Sequence, residues 1–379
     1  MEVLFWAVVV IVCHVYVGYP ALLWLIARLG GARPVRHAEL QPAVTLVISA
    51  YNEERVIAEK IVDALALDYP PAKLQIMVVS DASSDRTDEI TASYAARGVE
   101  LLRMSERGGK TLGLNAAVER ARGEIVVFSD ANAMYQRDAI RNLVRNFADP
   151  EVGAVVGESG YADAQAASEH NEGLYWKYEI AIKRLESQVR SVVGGDGAIY
   201  AVRRSLYVPM RADALSDFVN PLQVVRAGHR CIYEPEARSY ERAGDSFDKE
   251  FRRKVRIVNR AWRATMSMRE LLNPLRFGFF AFELLSHKFL RWLIAPLLVA
   301  LLLLSALLAD RSPLYAFALG AQLLFYLLAI AGHLLRKRRS IPRLLTIPYF
   351  FCLVNVASAV GIIQAYRGHA YTTWTTVRT

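Results

Sequence analysis

The apolar positions of this chain fall into two kinds of run. Four runs are long: residues 3–27, 289–309, 313–335 and 342–366 are almost free of charge. Each reaches the ~20 residues that a membrane-spanning helix needs. Between them, over about 37–275, the apolar runs are short and each is closed by polar residues. "VTLVISA" (44–50), "LQIMVVS" (74–80) and "EIVVFS" (124–129) have no polar alternation, which suits strands buried on both faces. "VELLRM" (99–104) reads as one more strand. Helices are expected between these strands. Asn52 is placed to cap a helix running from Glu53 to about Leu67, and Asp85 to cap the next. "GGKTLGLNAAVERARG" (108–123) reads as a glycine turn and a helix ending at Gly123. Strands alternating with helices predict an α/β domain with a mostly parallel sheet covered on both sides.

Composition adds a second solvent to this picture. The chain has 379 residues, 54% hydrophobic and 22% charged. The first long run has no basic segment before it and no small-x-small cleavage site, so it reads as a retained anchor rather than a cleaved signal. Arg28, Arg33 and Arg36 follow that run. Arg336, Lys337, Arg338, Arg339 and Arg343 follow the third, whereas only Asp310 and Arg311 separate the second from the third. Basic residues stay on the cytoplasmic side, which predicts a cytoplasmic soluble domain and an external N-terminus. Four spans then carry the C-terminal tail outside, unless the last, with Pro342, Pro348 and Gly361, is re-entrant. The expected division is an anchor at 1–36, a soluble domain at 37–272, an interfacial helix at 273–288 and a membrane region at 289–379. The net charge of +9 fits orientation and attraction to anionic lipid. Nucleic-acid binding is the other reading of a basic chain, but no nucleic-acid motif accompanies the charge. Cys13, Cys231 and Cys352 are scattered, giving neither a disulfide framework nor a zinc spacing.

Candidate chemistry gathers where the strands end. In open α/β sheets, ligands lie beyond the carboxyl ends of the strands. Tyr51, Asn52 and Glu53 follow the first strand, Asp81 the second, and Asp130 and Asn132 the last. Neither GxGxxG nor GxxxxGK[ST] is present, so the rim offers acids rather than a glycine cradle. Acids meet a diphosphate through a hard divalent cation. Asp130 and Asn132 are suited to be its ligands, with the small Ala131 between them. Lys110 and Arg107 face the phosphate charge from the other side in this reading; a solvated lysine at a helix start is the plainer alternative. Gly194, Gly195 and Gly197 would let backbone approach a sugar. Asp196 beside them either binds a sugar hydroxyl or closes a turn. Tyr175, Trp176, Tyr178 and Ile182 form one helical face, either core or a platform for sugars.

The ordered set "AYNEE", "SDASSD", "GGKTLGLNAAV", "FSDAN", "GGDGAIYAVRR", "LSDF" and "FRRKVRI" resembles family-2 glycosyltransferases with the GT-A fold. More narrowly it resembles the membrane-embedded polysaccharide synthases: cellulose, chitin, hyaluronan and poly-N-acetylglucosamine synthases. The likeness covers about 44–262. It implies a multi-pass protein of the cell membrane, in bacteria the inner one, with a cytoplasmic catalytic domain. The implied reaction is inverting transfer from a nucleotide-sugar, a UDP-sugar, to a growing polysaccharide or lipid-linked acceptor. By the same resemblance Tyr51 and Glu53 line the nucleoside pocket, Asp81 contacts uracil and Lys110 lies near the pyrophosphate. Asp130 is the first acid of the DxD motif and holds Mg²⁺ or Mn²⁺, with Asn132 replacing the second acid. Asp217 keeps the Asp of the TED motif, the catalytic base, with Ser216 in place of Glu. Arg253 replaces the Gln of QxxRW, Arg256 keeps its Arg and Ile257 replaces its Trp, which leaves processivity open. Gly195, Asp196, Arg253 and Arg256 are thereby candidate acceptor or diphosphate contacts. The basic face of Arg252, Arg253, Arg256 and Arg260 turns either to diphosphate or to lipid headgroups. Transfer of a single sugar to a lipid carrier is the close alternative. A nucleotide-sensing transporter is a further one, opposed by the near absence of charge inside the apolar runs. Four spans are few for a polymer channel, which points to a homo-oligomer or a partner subunit.

Overall fold

The computed structural model describes residues 1–161, 172–241, 247–336 and 342–373. Lys337, Arg338 and Arg339 of the basic loop lie outside the described residues. One sheet organises the soluble domain. Its strands are β1 (Val44–Ala50), β2 (Leu74–Ser80), β3 (Val99–Arg103), β4 (Ile125–Asp130), β5 (Met134–Tyr135), β6 (Val152–Tyr161), β7 (Tyr200–Arg203) and β8 (Arg230–Glu241). The order is β3-β2-β1-β4-β7-β6-β8-β5. The first four are parallel; β7 runs antiparallel to β4 and β6, and β8 parallel to β6. The sheet is thus mixed and mostly parallel, the GT-A architecture.

Every residue of β1 is buried. Leu46 and Ile48 enter one apolar layer with Ile57 and Ile61 of α2 (Ile57–Leu65), and Val47 enters the other with Leu114 and Ala117 of α4 (Lys110–Arg120). This two-sided cover, completed on the edge by α3 (Thr87–Ala92) and α5 (Ala139–Val144), is why the strands read as continuous apolar runs. The chain passes from β1 to β2 on one side and reaches β4 on the other. A crevice therefore opens at the carboxyl ends of β1 and β4.

The helix expected from Glu53 starts at Ile57 instead. Asn52 is not its cap: its backbone is left-handed (φ 53°), and its Oδ1 accepts from the Ser84 backbone N–H at 2.9 Å. That bond ties the ends of β1 and β2 together. Asp85 does serve its helix, accepting from the Thr87 N–H at 3.0 Å.

Among the described residues, four helices are long and apolar enough to cross a membrane: α1 (Glu2–Gly31), the stretch Ile294–Arg311 containing α9 (Ile294–Leu308), α10 (Pro313–Leu335) and α11 (Arg343–Tyr366). The start of α1 packs Phe5 and Val8 on Leu304, Leu308 and Tyr315. Its second half packs on the soluble domain, where Tyr19 donates to Glu186 of α6 (Glu172–Val189) at 2.7 Å. The 273–288 stretch is also drawn in: Phe280, Leu284, Ser286 and His287 are buried, with His287 Nδ1 2.6 Å from Glu186.

α11 departs from the other three. Its apolar window is 56% buried, against 11–22% for the others. It runs beside α8 (Phe247–Ser267): Tyr349 meets Phe247, Gly361 meets the backbone of Val255 and Asn259, and Tyr366 meets Trp262. Beyond it, Asn259 Nδ2 donates to the His369 carbonyl at 3.1 Å and the Thr372 carbonyl lies against Gly109. The tail therefore lies against the soluble domain, not on the opposite side. α11 thus runs along α8 of the soluble domain near both of its ends. Gly361 lets α8 approach closely, whereas Asn355 turns to Tyr16 of α1, and hydropathy alone does not register such fits.

Lys60 of α2 is fully buried. Its ammonium donates to the Ala133 carbonyl, lies 3.4 Å from Asp63 and sits 3.9 Å over the Tyr135 ring. Burial pushes it down to about 8 from 10.5. The unfolded chain thus binds more protons between those values, so this site's contribution to stability rises with pH there. Lys60→Met should remove that rise from a melting-temperature-versus-pH series. It should also cost about 1–3 kcal/mol near neutrality by leaving the Ala133 carbonyl unpaired. An unchanged melting profile would contradict this role.

Candidate active site

Asp130 ends β4, and the chain turns at once: the Ala133 N–H returns to the Asp130 carbonyl at 3.2 Å and the Ala131 N–H reaches the Ser49 carbonyl at 3.2 Å. This turn, held from below by Lys60, carries Asn132 two residues from Asp130. Lys110 starts α4 and pairs with the Asp130 carboxylate, with the Gly197 carbonyl at 3.5 Å. Burial works against the Lys110 proton, but Asp130 and then Asp217 outweigh it and raise its pKa.

The turn before Lys110 is built by Asp81. One carboxylate oxygen accepts from the Gly108 N–H at 2.8 Å and from the Gly109 N–H at 3.0 Å; the other also accepts from Gly109. Asp81, expected at the nucleotide base, is almost wholly buried in this role. Gly109 has φ 91°, and a Cβ there would collide with the Thr372 carbonyl, so glycine is required twice over. Tyr51 and Glu53 stand at the end of β1. The Arg107 guanidinium lies 3.9 Å over the Tyr51 ring, and the Glu53 N–H donates to Thr87 Oγ1 at 2.8 Å. Asn52 and Ala82, both left-handed without being glycine, flank this rim. Such strained backbone clusters at ligand sites.

The other half of the sheet closes the crevice. The Gly195 N–H donates to the Asp217 carbonyl at 2.6 Å, and Asp196 Oδ1 accepts from Ala198 at 3.1 Å. Asp217 lies in the first turn of α7 (Ser216–Arg226). A Cβ on Gly197 would sit 3.2 Å from Lys110 Nζ, 3.4 Å from Asp130 Oδ2 and 3.7 Å from Asp217 Oδ2. The ammonium and both carboxylates therefore face one small space. Burial raises the Asp217 pKa, with help from Asp196 and Asp130 and against Lys110.

The basic face of α8 divides. Arg260 turns inward and donates to the Asp213 and Ala214 carbonyls and to Thr111, so it braces the loop before Asp217 and meets neither diphosphate nor lipid. Arg252 is exposed. Arg253 is paired to Glu250 at 2.6 Å. Burial and Arg253 lower the Arg256 pKa, while Asp130, Tyr371 and Asp217 hold it up.

Glu241, at the end of β8, was not singled out from the sequence. Burial, Asp130 and Asp196 push it up to about 7. Its signal is only that β8 ends in an acid near the rim, and this becomes visible once the strand order is known. Of the aromatic face, Ile182 is buried and the Tyr178 hydroxyl donates to the Tyr16 carbonyl at 2.9 Å; the Tyr175 side chain lies outside the described residues.

A divalent cation fits this donor set in one manner. Among the described residues, no three His, Cys, Asp or Glu side chains form a ready cage. Asp130 already draws a cation, the Lys110 ammonium, and Asn132 adds a neutral oxygen. Two protein oxygens leave most of an ion's coordination to the ligand's own oxygens.

Residues 45–207 match the family model for glycosyl transferase family 2. Beta-monoglucosyldiacylglycerol synthase of Trichormus variabilis is 33% identical over 180 residues, 44% of this chain and 37% of that protein. Poly-beta-1,6-N-acetyl-D-glucosamine synthase of Staphylococcus aureus (strain COL) is 31% identical over 116 residues, 30% of this chain and 28% of that protein. The match thus spans between 28% and 37% of the length of these two relatives. A mannosyltransferase from Pyrobaculum calidifontis, PcManGT, solved with GDP-Man and Mn²⁺, superposes with a TM-score of 0.71 at 23% identity, covering 96% of this chain and 99% of that one. At that identity the likeness speaks for the fold.

Asp81→Ala should strip three acceptor contacts from the glycine turn, lowering the melting temperature and weakening nucleotide binding together. The expected cost is about 1–3 kcal/mol for the N–H groups left buried. A variant with wild-type melting and nucleotide affinity would show that the turn stands without Asp81.

Proposed function

We propose that this chain, which carries a family-2 glycosyltransferase domain acting on nucleotide sugars, transfers one sugar by single displacement to a lipid-anchored acceptor. The observation that carries this reading is the convergence of Lys110, Asp130 and Asp217 on Gly197. The donor's diphosphate lies over the Asp130 turn, beside Lys110 and Arg256. A divalent cation held by Asp130 and Asn132 would supply charge neutralisation for the departing diphosphate. The acceptor hydroxyl attacks the anomeric carbon from the face opposite the diphosphate, and the bond to the diphosphate breaks. Asp217 takes the hydroxyl proton as the new bond forms, and the configuration inverts. Tyr51, Glu53 and Arg107 line the nucleoside end. Asp196 and Gly195 lie on the acceptor side.

One feature favours a lipid-anchored acceptor over a growing polymer, and the relatives admit either. Ile257 stands where processive synthases carry the Trp of QxxRW. The relatives named above include a glycolipid synthase as well as a polymer synthase. The helices long enough to span a membrane make a membrane-borne acceptor accessible.

With purified full-length protein, a panel of UDP- and GDP-sugars, and membrane lipid extract, nucleotide release and product size identify the donor and distinguish one transfer from polymer. Asp217→Asn should keep nucleotide affinity and lose at least about a hundredfold in kcat; wild-type turnover would remove the base assignment. Asp217 must be ionised to act. Because burial raises its pKa, kcat should fall on acidification above the ordinary carboxylate range. Chelation with EDTA should abolish transfer and Mn²⁺ should restore it; full activity in EDTA would overturn the metal reading.

A further inference from the structure

Gly194, Gly195 and Asp196 line a cavity of about 300 Å³ that runs from Asp217 to Tyr16 of α1 and Phe350 of α11. The loop that carries them is held by three backbone N–H groups. That of Val192 donates to the Cys231 carbonyl of β8 at 2.8 Å, and that of Gly195 to the Asp217 carbonyl at 2.6 Å. Between them, the Val193 N–H donates to a side chain, Glu186 Oε2, at 3.2 Å. Glu186 is wholly buried. Its other oxygen accepts from the Tyr19 hydroxyl of α1 at 2.7 Å and lies 2.6 Å from His287 Nδ1. One carboxylate thus joins the first apolar helix, the segment around His287 and the loop that holds Asp217.

The position is a poor one for an acid. Glu186 stands in the last turn of α6, where the helix dipole opposes a negative charge and the turn holds no basic residue. Burial adds a desolvation cost, and an apolar residue of similar size would fill the space without it. What only the carboxylate can do here is accept from three separate segments at once. Val193 shares an apolar cluster with Phe218 of α7 and with Leu284 and Trp292. Its amide therefore cannot move without disturbing the turn of α7 that carries Asp217.

We propose that Glu186 is a positioning residue, which places Asp217 according to how the membrane-side helices seat. Tyr19 and His287 orient the carboxylate, the carboxylate holds the Val193 N–H, and Gly195, two residues on, holds the Asp217 carbonyl. The inference rests on the transfer reading above, in which Asp217 is the base. Glu186 acts through the loop rather than on either substrate, so its loss changes turnover and leaves nucleotide binding alone.

The test uses full-length protein in detergent. It reads amide hydrogen exchange over residues 191–198, which needs no substrate, beside UDP and GDP affinity and kcat. Glu186→Gln keeps the shape but leaves one acceptor oxygen for three donors. Exchange over 191–198 should quicken by about tenfold or more, the size of a bond to a charged acceptor, while β1 and β4 keep their protection. The kcat should fall by about tenfold or more, since misplacing a reacting group costs that much, with nucleotide affinity unchanged. Tyr19→Phe removes a single oxygen from α1 and should give the same pattern at smaller amplitude. Unchanged exchange over 191–198 in either variant would overturn the route. Faster exchange spread evenly through β1 and β4, with nucleotide affinity and kcat lost together, would make Glu186 a structural residue only and overturn the positioning role. If Glu186→Gln does not fold, Tyr19→Phe still decides. Local loosening in both variants, with no nucleotide-sugar turned over by the wild type, would defeat the transferase reading and leave the coupling. Wild-type kcat in both variants would defeat the positioning role and leave the transferase reading.

Discussion

The Lys110–Asp130 ion pair joins pieces of chain that are remote in sequence, and the rim is arranged around it. Asp130 sits at the end of β4, where the sheet changes from parallel to antiparallel partners. Lys110 sits at the start of α4, behind a glycine turn that Asp81 holds open. A carboxylate in this half-buried place needs a cation, and a lysine so buried needs an anion. The requirement explains the supports beneath them. Lys60 fixes the turn after Asp130, Asp81 fixes the turn before Lys110, and Arg260 fixes the loop before Asp217. Each support is itself a buried polar group satisfied by backbone, so loss of one displaces a charge at the crevice.

Much of this was legible along the chain. The strands β1, β2 and β4 are recognisable because burial on both faces demands unbroken apolar residues, and their polar ends mark the rim. Asp130, Lys110 and Asp217 stood out by their position in ordered motifs. What could not be read was long-range and geometric. Asn52 looked like a helix cap because its type and spacing suit one, whereas a tie between β1 and β2 competed successfully for its side chain. Glu241 is one acid among many until strand order brings β8 to the same edge. Arg260 shares a helix and a charge with Arg256, yet rotation about α8 sends Arg260 into the fold and leaves Arg256 half-buried.

Hydropathy does not distinguish α11 from the other three apolar helices, for a related reason. A helix packed on protein and a helix packed on lipid have the same apolar content; they differ in the size of the residues at the contact. Gly361 lets α8 rest close, the backbone of Val255 filling the space that a side chain would take. That close approach brings the tail to Gly109. The membrane-side helices are thus continuous with the nucleotide rim through α8 and residues 369–373.

This continuity bears on how two substrates of opposite solubility reach one carbon atom. In the proposed reaction, the rim formed by Tyr51, Asp81 and Asp130 receives the charged, water-soluble donor. The cavity toward α1 and α11 faces the apolar side. Asp217 lies where they meet, buried enough for its proton affinity to rise, yet beside Lys110, which limits the rise. A carboxylate fully inside the apolar cavity would be protonated and useless as a base; one fully in water would be too weak. In the proposed transfer, a place at the border between the two compartments would suit Asp217 to act as the base and leave the anomeric carbon open to both sides.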